Sequence, residues 1–292
     1  GRFPAIQFGC KPPEAVDLLQ EAKKAAQEAD AVILVIGTNS DWETEGNDRA
    51  DLGLPANQDE LVDAVLAENK NTVVVINSGS PVSMPWEDQS KAILQSWFGG
   101  QEYGNALMDI LFGEVNPSGK LPTTFPKRIE DTPAFSCYPG ENSQMDYEEK
   151  LLVGHRWYER KNIKSLFPFG HGLSYTDFSY GDLEISVGDN ADVVCRFNIE
   201  NIGDMDGQEV AQCYVSYESS PSDEPIKSLQ SFKKVLIEKQ KKQEIEIHLN
   251  ARNFSYWDVK DKDWKIRAGS YSIEIGSSSE KIELSETITL GN

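Results

Sequence analysis

The chain has 292 residues, of which 39% are hydrophobic, and this is enough for more than one packed core. Its 48 acidic and 28 basic side chains give a formal net charge of -20, so most of its surface would repel the phosphates of a nucleic acid or an anionic membrane. No stretch approaches the roughly 18 apolar residues that are needed to span a bilayer. These numbers predict two domains and a neutral ligand such as a sugar, with no nucleic acid and no membrane as partner.

The first third of the chain alternates helical patterns with short apolar runs. The helical patterns cover about 12–30, 56–68 and 102–111, and the apolar runs cover 31–36, 72–76 and 92–94. Strands that are apolar on both faces and alternate with helices predict an α/β fold, with a mostly parallel sheet sandwiched by helices.

The chain changes character twice after this region. Between about 117 and 180 the periodicity fails and prolines, glycines and aromatic residues accumulate, which indicates a functional or domain-bridging segment. From about 181, short alternating runs separated by turn residues predict a small antiparallel sandwich. The predicted domains are therefore the last part of an α/β domain at 1–125, a bridging segment at 126–180, and an all-β domain at 181–292.

Cysteine and histidine spacing argues against a metal site. The residues concerned are Cys10, Cys137, Cys195, Cys213, His155, His171 and His248. They show no Cys-x-x-Cys pair and no shared ligand spacing. Cys195 and Cys213 fall on inward positions of strand-like runs, where free cysteine behaves as a small buried hydrophobe. We therefore expect no metal, and buried free thiols in preference to a disulfide.

The chemically richest segment follows the first predicted strand and reads Gly37-Thr-Asn-Ser-Asp-Trp-Glu-Thr-Glu-Gly-Asn-Asp-Arg49. Ligands of open α/β sheets bind outside the carboxyl ends of the strands, so Glu43, Glu45, Asp48 and Arg49 are placed to meet one. Carboxylic acids serve as general acids when burial or neighbouring negative charge raises their pKa. We interpret the segment as a site of proton transfer, although its spacing alone also fits an acidic loop that is simply exposed. Trp42 is the candidate for stacking on a sugar ring.

Two other segments imitate known motifs and are rejected. Residues 113–120 have one residue too many between their glycines for a phosphate-binding loop, and Leu121 stands where Ser or Thr would bind magnesium. Residues 77–81 lack the Gly-x-Ser-x-Gly pattern of a nucleophile elbow, so we expect their serines to turn the chain. No cofactor is therefore expected.

Taken together, these segments resemble the C-terminal half of a glycoside hydrolase family 3 β-glucosidase. The segments that carry the resemblance are 43–49, 52–58, 77–82, 100–102, 111–122, 168–175, 210–214 and 229–234. It implies an α/β sandwich domain followed by a fibronectin type III-like domain. The sequence departs from the family at Glu149-Lys150, where Glu-Gly is usual, and at His155, where Tyr is usual, which bears on the bridge.

The resemblance also implies a retaining mechanism with two carboxylates about 5 Å apart. The Glu-Gly-x-Asp-Arg match carries the acid/base role onto Glu45, with Glu43 as the runner-up, and Trp42, Asp48 and Arg49 would bind substrate. The nucleophile is an aspartate of a preceding TIM-barrel domain in the family and is not expected in this chain. Ser40-Asp41-Trp42 has the same residues as the segment around that nucleophile in the family. Because it lies in the acid/base loop, Asp41 is not assigned as the nucleophile.

The expected function is part of an exo-β-glucosidase that releases terminal β-D-glucosyl residues from a β-glucoside or a short β-gluco-oligosaccharide. The alternatives are a β-xylosidase or other exo-glycosidase of the family, and a non-catalytic carbohydrate-binding or assembly module. Because the chain lacks an initial methionine, we expect it to be part of a longer polypeptide that carries the barrel, and any targeting signal would lie elsewhere. The start Gly1-Arg-Phe is similar to the region after an inserted PA14 domain. A homodimer, the sugar and linkage preference, and the secreted or cytoplasmic location stay open.

Overall fold

The computed structural model describes residues 17–292 except Asn47, Ser143 and Asn292. It divides into two compact units, Gly1–Phe98 and Gly99–Asn292. Cys10, the segment that is similar to the region after a PA14 domain, and the predicted start of the first helix near Pro12 lie outside the described residues. The predicted domain boundaries at 125 and 180 stay predictions.

The first unit is a three-stranded parallel sheet with two helices. The strands are β1 (Val32–Gly37), β2 (Thr72–Asn77) and β3 (Ala92–Gln95), in the order β1-β2-β3, and the helices are α1 (Leu18–Glu28) and α2 (Gln58–Glu68). Helix α1 begins after Asp17, whose carboxylate accepts hydrogen bonds from the backbone N–H groups of Leu19 and Gln20. This confirms the predicted α/β architecture.

The core of the first unit lies around the central strand. Val74, Val75 and Ile76 of β2 are fully buried, and Val62, Val65 and Leu66 of α2 are almost fully buried with them. Strand β1 differs, since Ile33 and Val35 are 48% and 54% exposed. One apolar face of β1 therefore remains open to solvent in the described part of the chain.

The second unit begins with α3 (Tyr103–Leu111) and α4 (His155–Lys161), which are separated by a long irregular segment. Irregular backbone between these helices agrees with the loss of periodicity in the sequence, whereas α4 itself lies inside the segment, about 117–180, in which no helix was predicted. Phe125 and Phe167 hold the segment together through a backbone bridge, and their rings pack edge to face with centroids 6.3 Å apart.

A β-sandwich makes up the rest of the second unit. Its strands are β4 (Phe178–Val187), β5 (Val193–Asn201), β6 (Gly207–Tyr217), β7 (Lys227–Ile237), β8 (Lys242–Leu249), β9 (Ser255–Asp258), β10 (Asp263–Ile266), β11 (Gly269–Gly276) and β12 (Ile282–Leu290). One sheet has the order β4-β5-β8 and the other β12-β11-β6-β7, while β9 and β10 form a separate hairpin. The predicted antiparallel sandwich is confirmed.

The alternating runs in the sequence, at 182–187, 193–200, 209–216, 244–249 and 270–275, cover β4, β5, β6, β8 and β11 but not β7, β9, β10 and β12. Strand β7 carries Lys233 and Lys234 in its middle and exposes Phe232, so its inward positions become regular only at Val235 and Ile237. Strand β12 alternates apolar and polar residues except at Glu286, and its Leu284 packs against the core that Ile288 and Leu290 enter. Pairing with β6 and β11, respectively, places these two strands in the sheet.

The two sheets bury their apolar sides against each other. Phe197, Ile245 and Leu249 come from one sheet, and Ile273 and Ile275 come from the other. Cys195 and Cys213 lie in the same core, one on each sheet, and both are completely buried free thiols. The predicted burial of this pair is confirmed.

Candidate functional site

The acidic loop begins beside the turn that follows the neighbouring strand. Gly37 at the end of β1 pairs with Asn77 at the end of β2, and the Thr38 N–H donates to the Asn77 carbonyl at 3.0 Å. Parallel strands end at the same edge of the sheet, so the loops that follow them leave side by side. The segment after Gly37 therefore faces residues 78–81.

Asn39 folds the first part of the acidic loop into a tight turn. Its side-chain oxygen accepts hydrogen bonds from the backbone N–H groups of Asp41 and Trp42, at 2.9 and 3.2 Å. Its carbonyl accepts from the N–H groups of Trp42 and Glu43, at 3.0 and 2.8 Å. Asparagine favours such turns because its short side chain can replace a backbone acceptor.

The Glu43 carboxylate is held by three donors. The Thr38 hydroxyl donates a hydrogen bond to Oε1, and the Gly79 N–H donates to the same oxygen at 3.1 Å. The Ser80 hydroxyl donates to Oε2 at 3.1 Å. Two of these donors belong to the turn after β2, so Glu43 ties the acidic loop to that turn.

Arg49 reaches the same turn from the other end of the acidic loop. Its Nη1 donates to the Ser80 hydroxyl at 2.8 Å and to the Pro81 carbonyl at 3.3 Å. Its Nε and Nη2 are buried and have no hydrogen-bond partner among the described residues. Ser80 thus lies between the Arg49 guanidinium and the Glu43 carboxylate.

The other predicted site residues have different surroundings. Glu45 is exposed, and none of the hydrogen bonds or ion pairs found among the described residues engages its carboxylate. Asp48 is exposed too, whereas Trp42 is half-buried and its Nε1 has no partner within the described chain. The structure therefore brings Glu43 and Arg49 together through Ser80 and leaves Glu45 and Asp48 at the surface.

Thr38, Gly79 and Ser80 were not recognised from the sequence as part of the site. Residues 77–81 were expected only to turn the chain, and they do so, since the Ser78 hydroxyl donates to the Ser80 carbonyl at 2.9 Å. The order of the predicted strands along the chain could have indicated that residues 78–81 lie beside the acidic loop. Loops that follow successive parallel strands leave from one edge when the strands are neighbours.

Metal-binding clusters and membrane-spanning helices are both missing from the described residues. That part of the chain contains no group of three or more His, Cys, Asp or Glu side chains that could hold a metal ion. None of its helices is both long and apolar enough to cross a membrane.

Comparison with known families matches both units. Residues 13–175 match the glycosyl hydrolase family 3 C-terminal domain, and residues 209–279 match a fibronectin type III-like domain. The first match includes the acidic loop, the turn after β2 and the irregular segment up to Tyr175. The second covers most of the β-sandwich.

Curated proteins and solved structures agree with this assignment. The chain is 42% identical over 279 residues to the thermostable beta-glucosidase B of Acetivibrio thermocellus. The aligned region is 94% of this chain and 37% of that protein. It is similar to a GH3 beta-glucosidase of Bifidobacterium adolescentis, with a TM-score of 0.90, 40% identity, and coverage of 94% of this chain and 41% of that one. A beta-glucosidase of Kluyveromyces marxianus, solved in complex with glucose, gives a TM-score of 0.91 at 38% identity, with 96% of this chain and 34% of that one covered.

The chain spans 37% of the length of the first of these relatives, and the matched part lies within the C-terminal domains of the family. The domain match exceeds half of the chain, and the solved structures share its fold. The protein therefore belongs to glycosyl hydrolase family 3, of which it carries the C-terminal α/β domain and the fibronectin type III-like domain.

Proposed function

We propose that this chain is the C-terminal part of a retaining exo-β-glucosidase and that Glu45 is the acid/base residue of that enzyme. The relatives are named as β-glucosidases, and they are much longer than this chain. The preceding part of the polypeptide would be a TIM barrel that provides the aspartate nucleophile and most of the sugar-binding subsite.

The contrast between the two glutamates of the acidic loop carries this proposal. A general acid must reach the leaving-group oxygen with a carboxyl group that is free to give up its proton. Glu43 accepts three hydrogen bonds from its own unit, whereas Glu45 is exposed at the carboxyl edge of the sheet. Glu45 therefore has the position and the freedom that the acid/base role requires.

The proposed reaction has two steps. In the first, the barrel aspartate attacks the anomeric carbon while Glu45 protonates the glycosidic oxygen, so the C–O bond breaks, the aglycone departs and a glycosyl ester remains. In the second, the Glu45 carboxylate removes a proton from water, whose oxygen attacks the anomeric carbon. The ester bond then breaks, which releases β-glucose and regenerates both carboxyl groups.

The remaining predicted residues would contact substrate. The half-buried Trp42 ring lies immediately before Glu43 and would stack on the apolar face of a sugar. Arg49 has buried Nε and Nη2 groups without a partner in the described chain, and Asp48 adds an exposed carboxylate. Hydroxyl groups of a neutral sugar can both donate to Asp48 and accept from Arg49.

The test is hydrolysis of p-nitrophenyl β-glucoside and β-xyloside, and of β-glucosides with poor leaving groups, by the full-length parent protein and its Glu45→Ala variant, with and without azide. We expect faster hydrolysis of the glucoside, and a loss in Glu45→Ala of about 100-fold or more on substrates with poor leaving groups. Azide should restore turnover on the activated substrate and yield β-glucosyl azide, because an anion can enter the space left by the carboxylate.

Each other outcome changes the proposal in a defined way. A Glu45→Ala protein that behaves like the parent, including on substrates with poor leaving groups, would move the acid/base role to Glu43. A faster reaction with the xyloside would replace the sugar assignment. A parent protein that hydrolyses neither sugar would reject the enzyme and favour a carbohydrate-binding or assembly module.

A further inference from the structure

We propose that Glu43 is a positioning residue, which clamps the acidic loop onto the turn after β2 and so fixes the place from which Glu45 acts. The clamp consists of Glu43, Thr38, Gly79, Ser80 and Arg49. This inference rests on the proposed function, because it assigns Glu43 a role in presenting the acid/base residue.

The first step is the number and origin of the donors around Glu43. Thr38 donates from the start of the acidic loop, and Gly79 and Ser80 donate from the turn after β2. Hydrogen bonds to a carboxylate are roughly twice as strong as those between neutral groups. Glu43 therefore joins two segments that have no strand pairing with each other beyond Gly37 and Asn77 in the described chain.

The second step is the close packing at Gly79. A Cβ atom at this position would lie 2.7 Å from Oε2 of Glu43 and 2.9 Å from a ring carbon of Phe98. Such distances are far below van der Waals contact, so a larger residue at this position would have to displace the Glu43 carboxylate and the Phe98 ring. The Glu43 carboxylate is thus closely packed against the turn after β2 as well as hydrogen-bonded to it.

The third step is the Ser80 hydroxyl, which connects the Arg49 side chain to the Glu43 side chain. Its hydroxyl accepts from Arg49 Nη1 at 2.8 Å and donates to Glu43 Oε2 at 3.1 Å. Arg49 stands four residues after Glu45, and Glu43 stands two residues before it. The exposed residue is therefore held on both sides by contacts with one turn, although its own carboxylate stays free.

Catalysis is sensitive to such positioning. An error of about 1 Å in the place of a reacting group can cost on the order of 100-fold in rate. An exposed loop without anchors would sample many positions of Glu45, and the clamp would restrict them. The clamp is predicted to contribute to kcat rather than to substrate affinity.

Amide substitution separates positioning from proton transfer. In Glu43→Gln, the amide oxygen can still accept from Thr38 and Gly79, and the amide nitrogen can donate to the Ser80 hydroxyl, which can accept a second bond. The amide cannot transfer a proton. Glu43→Gln should therefore keep the clamp, whereas Glu43→Ala removes it.

The experiment compares kcat, KM and pH profiles of the full-length parent protein carrying Glu43→Gln, Glu43→Ala, Ser80→Ala or Glu45→Gln, with Asp41→Asn as the control in the same loop. We expect Glu43→Gln to lose at most about threefold in kcat and to keep the limb of the pH–rate profile that reports titration of the general acid. Glu43→Ala should lose about 30-fold or more in kcat with little change in KM. Ser80→Ala should fall between them, and Glu45→Gln should abolish the acid limb. A Glu43→Gln protein as inactive as Glu45→Gln would overturn the proposal.

A second measurement uses the 292-residue chain and needs no activity. Hydrogen exchange should become faster over residues 39–46 and 78–81 in Glu43→Ala, but remain unchanged there in Glu45→Ala and in Asp41→Asn. Slow exchange in β2 would show that the unit is still folded. Unchanged loop exchange in both Glu43→Ala and Ser80→Ala would reject the clamp, even if Glu45 proved to be the acid/base. Faster exchange without any activity in the parent protein would instead support the clamp and reject the proposed function.

Discussion

His155 and Glu159 lie one turn apart on α4, and burial shifts the pKa of each in the opposite direction. The His155 ring stacks on Phe169 with centroids 4.8 Å apart, and burial, helped by the nearby charges of Arg156 and Lys227, lowers its pKa from 6.5 to about 4. Burial raises the pKa of Glu159 from 4.5 to about 7, although Lys227 at 3.9 Å acts in the opposite direction. Both groups favour their neutral forms because desolvation penalises the charge.

The two residues should have opposite effects on the pH dependence of stability. Between pH 4 and 6.5, the folded state binds fewer protons at His155 than the unfolded state does. The free energy of unfolding therefore decreases at this site as the pH falls through that range. Between pH 4.5 and 7, the folded state binds more protons at Glu159 than the unfolded state does. The free energy of unfolding therefore decreases at this site as the pH rises through that range. Between pH 4.5 and 6.5 the two effects largely cancel in the parent chain.

Single variants should reveal the two slopes. Relative to the parent chain, the free energy of unfolding of His155→Phe should fall as the pH rises from 4.5 to 6.5, and that of Glu159→Gln should rise. Each full effect amounts to at most about 3.4 kcal/mol, at 1.36 kcal/mol per pKa unit. Urea unfolding of the second unit at a series of pH values measures the slopes. Two variants with parallel pH profiles would contradict the assignment.

At the scale of elements, the exposed face of β1 is the notable feature of the first unit. Ile33 and Val35 point to solvent on a strand that pairs on one side only within the described sheet. An exposed apolar edge strand tends to associate with other chains. We therefore expect the 292-residue chain to self-associate through this face.

The Val35→Lys variant tests this expectation. A charge on the face should weaken self-association about tenfold, which corresponds to about 1.4 kcal/mol. Leu18→Lys is the matched control, since Leu18 is 71% exposed on α1 and lies on no strand. Sedimentation velocity over a range of concentrations measures the effect. Equal association of both variants, or a monomeric parent chain at all concentrations, would disprove the role of β1.

At the scale of the whole molecule, the proposed enzyme needs more than these two units. A retaining glycosidase uses two carboxyl groups about 5 Å apart, and this chain is proposed to contribute only one of them. We therefore predict that the 292-residue chain alone does not hydrolyse p-nitrophenyl β-glucoside, while the full-length parent protein does. Detectable turnover by the purified chain, abolished by Glu45→Gln, would show that the nucleophile lies within it.

The sequence by itself determined the architecture of the chain and the position of its acidic loop. Strands that are buried on both faces need apolar residues along their whole length, and this local pattern predicted β1, β2 and β3 correctly. Inward alternation likewise predicted the sandwich and the burial of Cys195 and Cys213. Spacing alone treated Glu43 and Glu45 as nearly equivalent, because both stand in the same loop.

Only the tertiary structure decided how those two glutamates differ. Glu43 meets Gly79 and Ser80, more than 30 residues away in sequence, because β1 and β2 are paired in register and end together. Strands β7 and β12, which the alternating runs did not include, are likewise placed in their sheet by pairing with β6 and β11. Such contacts depend on which segments the fold brings together, and a local pattern of residue types does not contain that information.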